Sequence, residues 1–348
     1  MTILVTGGAG FIGANFVREW FTASEEPVVV LDCLTYAGNP TNLEAVGRGR
    51  LELVQGDICN QDLVLSLLSR FSPRAIVHFA AESHVDRSIS SPARFVETNV
   101  TGTFNLLECS RRWLGSGEPS AALRFVHVST DEVFGSLDEL ASPSTEESPY
   151  APNSPYAASK AASDHLVRAY NRTYGLNTVT TNCCNNYGPL QYPEKLIPVI
   201  IDRALGGAPI PIYGDGSNRR EWLHVSDHCS ALRLIIEKGA SGSSYNIGTS
   251  EEVANLHLAA SLCELLNLLR PRSDGVCYSS QLTMVADRPG HDQRYALDSG
   301  KLRRELGWEP RWSFTAGLRQ TVEWYLDNRE WMASTLARGA ALAGAGNK

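Results

Sequence analysis

The sequence predicts an α/β protein built on a doubly wound parallel sheet, with a smaller C-terminal lobe. Three observations indicate this fold: a buried strand that runs into a glycine-rich turn, an acidic residue at the end of the next strand, and continued alternation of strands with helices. The chain has 348 residues, of which 43% are hydrophobic, and this is enough for a sizeable core.

The N-terminal segment matches a dinucleotide-binding fingerprint. Residues 2–6 form a predicted buried strand, and Gly8, Gly10 and Gly13 follow it at the start of an apolar-periodic helix. Glycines at this spacing permit a tight turn and let the backbone approach a pyrophosphate. The second strand ends at Asp32, where an acidic residue is expected to bind the adenosine ribose hydroxyls. A carboxylate there would repel a 2′-phosphate, so NAD is favoured over NADP.

Strand and helix patterns continue to alternate beyond the glycine turn. Strands are predicted at 28–31, 51–55, 75–79, 125–129 and 178–184, and helices near 61–70, 92–113 and 155–174. This order is typical of a parallel Rossmann sheet, in which ligands bind at the carboxyl ends of the strands. Three polar clusters each follow a strand and are expected to meet at that edge, namely 80–84, 129–132 and 185–188.

Two pairs of side chains near these strand ends suggest proton and hydride transfer. Asp131 and Glu132 directly follow a predicted strand, and Tyr156 lies four residues before Lys160. On a helix, that spacing puts Tyr156 and Lys160 on one face, so the ammonium is expected to favour the ionised phenol. An isolated Tyr-x-x-x-Lys is more often an ordinary pair on a solvated helix, so this interpretation depends on the neighbouring motifs.

The pattern changes beyond about residue 190, where prolines and glycines break the chain into shorter elements. We predict a nucleotide-binding domain that carries the catalytic residues, a substrate-binding lobe and a C-terminal tail, at 1–190, 191–327 and 328–348. The tail is expected to fray because its last residues are rich in Ala and Gly. The lobe carries Arg220 and Arg288, which suit a diphosphate, although a single cation is more often a solvated surface charge.

Charge and composition argue against several classes of protein. The formal net charge is −7, from 38 acidic and 31 basic residues, and no dense Lys/Arg tract suggests a nucleic-acid partner. No apolar run approaches the roughly 18 residues that span a bilayer. The eight cysteines include no C-x-x-C pair and the eight histidines do not cluster. We therefore expect reduced thiols, a cytoplasmic protein and no bound metal.

Taken together, these motifs resemble the extended short-chain dehydrogenase/reductases, and within them the nucleotide-sugar 4,6-dehydratases. The resemblance extends from the glycine turn to about Tyr325. It is carried by T-G-G-A-G-F-I-G at 6–13, D-C-L-T-Y-A-G-N at 32–39, G-D-I at 56–58, A-A-E-S-H-V-D-R-S at 80–88, S-T-D-E-V-F-G at 129–135, Y-A-A-S-K at 156–160, N-N-Y-G-P at 185–189, P-E-K-L-I-P at 193–198, Y-G-D-G at 213–216, R-E-W-L-H-V at 220–225 and D-R-P-G-H-D at 287–292.

The resemblance implies a reaction on the sugar of a sugar nucleotide. Tyr156 would take the proton of the 4-hydroxyl while a hydride leaves C4 for NAD, with Lys160 lowering the pKa of Tyr156 and Thr130 sharing the polarising role. Glu132 would then act as the base at C5 and Asp131 as the acid at C6, so that water leaves before the hydride returns to C6. The two carboxyls must therefore be held in different protonation states.

The resemblance also implies which residues hold the two ligands. For the cofactor they are Gly7, Gly10, Phe11, Ile12, Gly13, Asp32, Leu34, Thr35, Asp57, Ile58, Ala80, Ala81, Asn99, Tyr156 and Lys160. For the sugar nucleotide they are Ser83, His84, Thr130, Asn185, Asn186, Glu194, Lys195, Leu196, Pro211, Tyr213, Arg220, Asn255, Arg288 and His291. Two have strong structural alternatives: a lone histidine such as His84 is as often structural, and Asn99 lies in a predicted helix packed on the sheet.

Three functions are compatible with these residues. A 4,6-dehydratase needs Tyr156, Lys160, NAD and the Asp-Glu pair. A sugar-nucleotide 4-epimerase or decarboxylase on the same scaffold would use Tyr156, Lys160 and NAD, but it would not require the Asp-Glu pair. A non-catalytic NAD-binding sensor should have lost Tyr156 or Lys160, and both are present. The motifs therefore favour the dehydratase.

Two details stay open at the level of sequence. Thymidine and uridine differ by one methyl group, which is worth only about 1–3 kcal/mol in an apolar pocket, so only the resemblance favours thymidine. The amphipathic helices at 92–113 and 155–174 are suited to pair across a two-fold axis, and the resemblance accordingly implies a homodimer.

Overall fold

The computed structural model describes residues 1–44, 46–47, 49–116 and 123–345. Within these ranges the strands are β1 (Ile3–Thr6), β2 (Val28–Asp32), β3 (Leu51–Gln55), β4 (Ala75–His78), β5 (Arg124–Thr130), β6 (Thr178–Cys183), β7 (Asn185–Tyr187), β8 (Ile210–Tyr213), β9 (Arg219–His224), β10 (Ser244–Ile247), β11 (Glu252–Ala254) and β12 (Leu282–Val285). The α-helices are α1 (Phe11–Ala23), α2 (Gln61–Phe71), α3 (Val85–Ser90), α4 (Pro92–Phe95), α5 (Thr103–Gly115), α6 (Pro155–Tyr174), α7 (Leu196–Leu205), α8 (Val225–Lys238), α9 (Asn255–Leu269), α10 (Gly300–Leu306), α11 (Phe314–Asp327) and α12 (Arg329–Ala345). A π-helical segment, Val96–Gly102, joins α4 to α5, and short 3₁₀ helices occur at Pro40–Leu43, Asp131–Phe134 and Tyr278–Gln281.

Seven parallel strands form the central sheet, in the order β10-β6-β5-β4-β1-β2-β3. Helices cover both faces, which is why β1, β2 and β4 are buried along their whole length and apolar except for the last residue of each strand. The strand order reverses between β1 and β4, and a ligand crevice is expected at the carboxyl ends of strands at such a point. The predicted doubly wound parallel sheet is confirmed.

The two faces of the sheet have separate apolar cores. On one face, Phe16 of α1 and Leu232 of α8 pack over strand residues such as Val30. On the other face, Leu67 of α2 and Leu106 of α5 pack over the opposite side chains of the same strands. Burying each such side chain contributes about 1.5–3 kcal/mol, so the rigid sheet holds the strand ends in fixed positions.

The predicted boundary at residue 190 does not match the observed sheet. Strand β10 pairs with β6 through Ser244↔Thr180 to Ile247↔Cys183, so it completes the nucleotide-binding sheet from within the predicted lobe. Helix α8, which also lies beyond residue 190, packs against α1. The sequence did not predict that the chain rejoins the main sheet at β10. This strand is only four residues long, and its partner β6 is far away in the chain.

Strand β7 and most of the remaining elements beyond residue 190 form the smaller lobe, while α10 packs against β10 and α8. The two small sheets of the lobe have the orders β11-β9-β7 and β12-β8. Ile200 of α7, Leu262 of α9 and Val322 of α11 meet in an apolar core of their own. The lobe stands over the carboxyl edge of the central sheet, because β7 continues directly from β6 and pairs with β9.

The predicted frayed tail is wrong for the residues that the structure describes. Residues 329–345 form α12, in which Met332 and Thr335 are each only 2% exposed. The ring of Trp331 lies 5.0 Å from that of Trp324, with the ring planes close to perpendicular. The prediction was based on the Ala/Gly-rich composition of the last residues and did not consider these anchoring side chains. Residues 346–348 of the predicted tail lie outside the described part of the chain.

Candidate active site

A cavity of about 440 Å³ lies where the strand order reverses. The glycine turn after β1, the loops after β2 and β4, the end of β5 and the first turns of α6 form its walls. Most of the predicted cofactor residues line it, namely Gly7, Gly10, Phe11, Ile12, Gly13, Asp32, Thr35, Asp57, Ile58, Ala80, Ala81, Tyr156 and Lys160. Leu34 and Asn99 are not among the lining residues.

The glycine turn requires glycine at two positions. Gly7 has a φ of +71°, and a Cβ there would lie 2.5 Å from the backbone nitrogen of Ala80. A Cβ at Gly13 would lie 2.3 Å from the carbonyl oxygen of Gly7. Any larger residue would therefore separate α1 from β1 or β1 from β4, and the turn would lose the shape that suits a pyrophosphate.

Asp32 is fixed by backbone donors at the edge of the cavity. Its carboxylate accepts hydrogen bonds from the nitrogen of Ala9 at 2.9 Å and from that of Leu34 at 2.8 Å. Burial raises the pKa of Asp32, and these two bonds act in the opposite direction. The backbone of Leu34 helps to shape the loop beside the cavity, and its predicted contact with the cofactor stays a prediction.

Asn99 joins the loop after β4 to helix α6 beside the cavity. It lies in the π-helical segment, a feature frequent at functional sites. Its amide nitrogen donates to the carbonyl oxygen of Glu82 at 3.0 Å and to Oγ of Ser159 at 2.8 Å, and its oxygen accepts from the nitrogen of Glu82 at 2.9 Å. Both amide hydrogens are thus occupied by protein, which favours the structural alternative for Asn99.

The predicted catalytic side chains converge in the cavity. Thr130, Asp131 and Glu132 come from the end of β5 and the turn after it, and Tyr156 and Lys160 come from α6. Helix α6 begins as the sequence predicts, with a proline at its first position and a serine cap whose Oγ accepts from a backbone nitrogen at 3.0 Å. This start sets the direction in which the first turn presents the tyrosine.

The two adjacent carboxyls have different electrostatic surroundings. Asp131 is 3% exposed, and burial together with the charge of Glu132 raises the pKa of Asp131 to about 8. Burial also raises the pKa of Glu132, but the cations of Arg288, Arg220 and Lys195 act against this. Burial therefore favours the protonated form of Asp131, while the three cations favour the ionised form of Glu132.

The free oxygen of Asp131 is available to a ligand. Thr130 donates from Oγ1 to Oδ1 of Asp131 at 3.2 Å, while Oδ2 is buried and has no hydrogen-bond partner among the described residues. A buried polar atom without a partner is costly, and a catalytic role or a bound group is one explanation for it. The arrangement suits a proton donor.

The expected lowering of the pKa of Tyr156 by Lys160 stays a prediction, and Lys160 itself is held at the end of β5. Its ammonium is buried and donates to the carbonyl oxygen of Val128 at 2.8 Å, and burial lowers the pKa of Lys160 to about 8. Burial and the nearby charge of Glu132 raise the pKa of Tyr156 well above its usual value, against a hydrogen bond with Thr130. The expected ionised phenol therefore needs a further positive charge in the cavity.

Asp164 is a buried carboxyl that the sequence analysis missed. It accepts from Oγ of Ser129 and the hydroxyl of Tyr150, each at 2.9 Å, and Nε2 of His127 lies 3.1 Å away. Burial raises the pKa of Asp164 to about 6, and its charge raises the pKa of Lys160. The signal was present in the sequence, because Asp164 follows Lys160 by four residues on the same helix face.

Part of the predicted sugar-nucleotide set lines the same cavity, namely Ser83, Thr130, Asn185, Asn186, Glu194 and Lys195. Lys195 donates from Nζ to the carbonyl oxygen of Ser83 at 2.9 Å. Glu194 accepts from the hydroxyl of Tyr36 at 2.9 Å and from Nη2 of Arg87 at 3.2 Å. These contacts tie the smaller lobe to the loops that follow β2 and β4.

The other predicted substrate residues lie outside the cavity wall, and they are His84, Leu196, Pro211, Tyr213, Arg220, Asn255, Arg288 and His291. Two of them meet at Asp86: Nη1 of Arg288 lies 3.3 Å from Oδ1, and the hydroxyl of Tyr213 lies 3.5 Å from Oδ2. Arg220 is 4% exposed and donates from Nη2 to the carbonyl oxygen of Asp292 at 2.7 Å. Both arginines still act on the active site, since their charges lower the pKa of Glu132.

Three of these outlying residues have evident structural roles. His84 caps α3 by accepting from the nitrogen of Arg87 at 3.4 Å, which favours its structural alternative. Leu196 begins α7 and packs on the core of the smaller lobe. Nδ1 of His291 lies 2.6 Å from the carboxylate of Asp287. Pro211 belongs to β8, and Asn255 begins α9.

The described residues contain no group of three or more His, Cys, Asp and Glu side chains placed to hold a metal ion. None of the helices in the described part of the chain combines the length and apolar character needed to cross a bilayer. The titratable and polar groups that line the cavity include carboxyl, phenol, hydroxyl and ammonium groups.

The parallel sheet, the glycine turn, the acid at the end of β2 and the paired tyrosine and lysine define an enzyme of the extended short-chain dehydrogenase/reductase class. The chain belongs to the family described as GDP-mannose 4,6 dehydratase, whose sequence model matches residues 4–321.

Named relatives and solved structures resemble the chain over nearly its whole length. A dTDP-glucose 4,6-dehydratase of Xanthomonas campestris is 54% identical over 338 residues, 96% of each chain. The structure of a dTDP-glucose 4,6-dehydratase from Streptomyces venezuelae with NAD bound has 49% identity and a TM-score of 0.88, and the match covers 96% of this chain and 100% of that one. The structure of a UDP-glucose 4-epimerase from Thermotoga maritima has 29% identity and a TM-score of 0.84. The match covers 94% of this chain and 100% of that one.

Proposed function

We propose that the protein binds NAD and converts dTDP-D-glucose to dTDP-4-keto-6-deoxy-D-glucose and water. The observation that carries this proposal is the pair of adjacent carboxyls in the same cavity as Tyr156, of which Asp131 has a pKa raised by burial and by Glu132, while three nearby cations act to lower that of Glu132. An epimerase does not need such a pair. The names of the 48–54% identical relatives support dTDP-glucose as the substrate.

The residues of the cavity fit NAD. Asp32 would bind the adenosine ribose hydroxyls, the glycine turn would face the pyrophosphate, and Lys160 would bind the nicotinamide ribose. When bound, NAD supplies a positively charged hydride acceptor that oxidises C4 of the sugar and later returns the hydride to C6. A positive charge in the cavity also lowers the pKa of Tyr156, against burial and the charge of Glu132.

Proton transfers by three residues would then complete the reaction. Tyr156 would take the proton of the 4-hydroxyl as the hydride leaves C4 for the bound NAD, and the loss of both leaves a ketone at C4. The ketone acidifies the C5 hydrogen because the resulting carbanion is stabilised as an enolate, and Glu132 removes that proton. Asp131 gives its proton to the 6-hydroxyl, so that the C6–O bond breaks and water leaves. A proton then returns to C5 as C6 is reduced.

Incubation with sugar nucleotides tests the proposal. We expect dTDP-glucose to give a 4-keto sugar, measured by its absorbance in alkali, and UDP-glucose and GDP-mannose to give much less. Because thymine and uracil differ by one methyl group, we expect kcat/KM for dTDP-glucose to exceed that for UDP-glucose by roughly 10- to 200-fold. A hydroxyl inverted without a 4-keto product would support the epimerase instead, and no reaction with any of the three would contradict the proposal.

The pH dependence tests the role of Asp131. Its acid form is present below its pKa of about 8 and is lost above it, so kcat is expected to fall as the pH rises through that value. Asp131→Asn cannot donate a proton, and we expect its kcat to drop by roughly 10²-fold or more and to lose that alkaline limb. The variant should still reduce bound cofactor with substrate. An unchanged alkaline limb in the variant would assign the titration to another group.

The assembly and location of the protein stay predictions. We propose a homodimer formed through the helices near 92–115 and 155–174, which expose Val96, Phe104 and Tyr174 to between 45% and 55%. A paired surface would bury these apolar side chains. We also propose a cytoplasmic location, in line with eight cysteines that form no disulfide in the structure.

A further inference from the structure

Helix α12 bonds to the loop that carries the adenosine end of the cofactor cavity. The guanidinium of Arg338 donates from Nη2 to the carbonyl oxygen of Leu34 at 2.9 Å and from Nη1 to that of Thr35 at 3.0 Å. Leu34 has a φ of +55°, a left-handed conformation that a leucine seldom adopts without outside support. The planar guanidinium thus braces the loop just beyond Asp32 in an unusual conformation.

A second set of contacts extends this brace to the glycine turn. Asn39 donates from Nδ2 to Oγ1 of Thr335 at 3.0 Å, and Trp331 donates from Nε1 to Oδ1 of Asn42 at 2.8 Å. The backbone nitrogen of Asn39 and Nδ2 of Asn42 both donate to the carbonyl oxygen of Ala9, each at 3.0 Å. The helix is therefore joined through two asparagines to the turn that would face the pyrophosphate.

The contacting residues of α12 lie on one face of the helix. Trp331, Thr335 and Arg338 are spaced at i, i+4 and i+7, and Met332 beside them is buried against the smaller lobe. The charge of Arg338 also acts to keep Asp32 ionised. The helix is thus anchored to the lobe on one side and to the cofactor loop on the other.

We propose that α12 retains NAD in the enzyme, with Arg338 as the residue that positions the cofactor loop. A binding loop that is already ordered does not lose conformational entropy when its ligand arrives, so affinity rises. The proposed reaction regenerates the same NAD in every cycle, and slow release of the cofactor therefore serves it. This inference rests on NAD being the cofactor, and it adds that the C-terminal helix controls how long NAD stays bound.

Variants of Arg338 test the proposal on the purified holoenzyme. Arg338→Ala removes both hydrogen bonds, and Arg338→Lys keeps the charge but cannot bridge two carbonyls in the same plane. Arg329→Ala is the matched control, because Arg329 is an exposed arginine on the same helix. The measurements are the NAD retained per chain after rapid desalting without substrate, the Kd for added NAD, and kcat and KM for dTDP-glucose at saturating NAD.

We expect Arg338→Ala to raise the Kd for NAD by roughly 10- to 100-fold, Arg338→Lys to give a smaller rise and Arg329→Ala to give none. Saturating NAD should restore kcat, and KM for the sugar nucleotide should not change. Equal NAD retention by Arg338→Ala and Arg329→Ala would overturn the proposal. A change in KM and kcat that saturating NAD does not correct would also overturn it, since it would indicate a general structural effect.

A second variant keeps the test decisive if Arg338→Ala does not fold. Thr335→Val preserves the shape of a buried side chain and removes the acceptor for Asn39, so it should also shorten NAD retention. Normal retention by a folded Thr335→Val would count against the proposal. Because retention is measured without a sugar nucleotide, an enzyme that holds NAD but leaves dTDP-glucose unchanged would refute the proposed function and not this inference.

Discussion

Glu132→Gln is expected to stop the reaction after oxidation at C4. The amide keeps the size of the side chain but cannot take the C5 proton, so water cannot be eliminated. Loss of a general base typically lowers kcat by roughly 10²- to 10⁴-fold. Tyr156 is unchanged in the variant, so substrate should still reduce the bound cofactor. The reduced nicotinamide would then accumulate, and its near-ultraviolet absorbance should persist while little 4-keto-6-deoxy product is released.

Glu139→Gln is the control for this change, because Glu139 is an exposed carboxylate seven residues further along the chain. It should retain normal turnover and show no lasting reduced cofactor. Glu132→Gln also removes the charge that raises the pKa of Asp131, so the alkaline limb is expected to move to lower pH in any residual activity. Normal turnover by Glu132→Gln would mean that another group removes the C5 proton.

Tyr156→Phe is expected to slow the first step sharply, so that little reduced cofactor or product forms. Without the phenol, no proton acceptor remains for the 4-hydroxyl, and we expect a fall in kcat of roughly 10²- to 10⁴-fold. The change should be structurally mild, because Tyr156 is half-buried and its ring packs edge-on to Phe95 at 6.3 Å, a contact that phenylalanine can keep. The measurement is the absorbance of reduced nicotinamide after mixing the holoenzyme with substrate.

The two variants separate the two half-reactions. Glu132→Gln should accumulate reduced cofactor and Tyr156→Phe should not, although both lose turnover. Tyr174→Phe serves as the control, since Tyr174 lies on the same helix and is 55% exposed. If Tyr156→Phe formed as much reduced cofactor as Glu132→Gln, a different group would have to accept the 4-hydroxyl proton.

Local sequence signals predicted the parts of the molecule that local physics decides. The buried strands β1 and β2 are apolar runs in the sequence, the start of α6 followed from Ser154 and Pro155, and the glycine turn followed from the spacing of Gly8, Gly10 and Gly13. The order of these elements was enough to place Asp131 and Glu132 at the carboxyl edge of a parallel sheet.

Contacts between distant parts of the chain were not predictable in the same way. Strand β10 contains four residues and joins the main sheet only because β6 offers it an edge. Helix α12 has an alanine- and glycine-rich sequence, and its order comes from Trp331, Met332 and Thr335 packing on residues far away in the chain. The sequence of β10 or of α12 does not by itself show which distant residues the element will contact.

The sequence alone determined the class of fold, the position of the dinucleotide site and the identity of the groups that can carry protons, because strand burial, turn geometry and helix capping depend on neighbouring residues. Only the tertiary structure decided the protonation of those groups. Burial beside Glu132 favours the protonated form of Asp131, and burial lowers the pKa of Lys160, whose ammonium donates to the carbonyl oxygen of Val128. A pKa depends on solvent exclusion and on the distance between charges, and both are properties of the packed molecule.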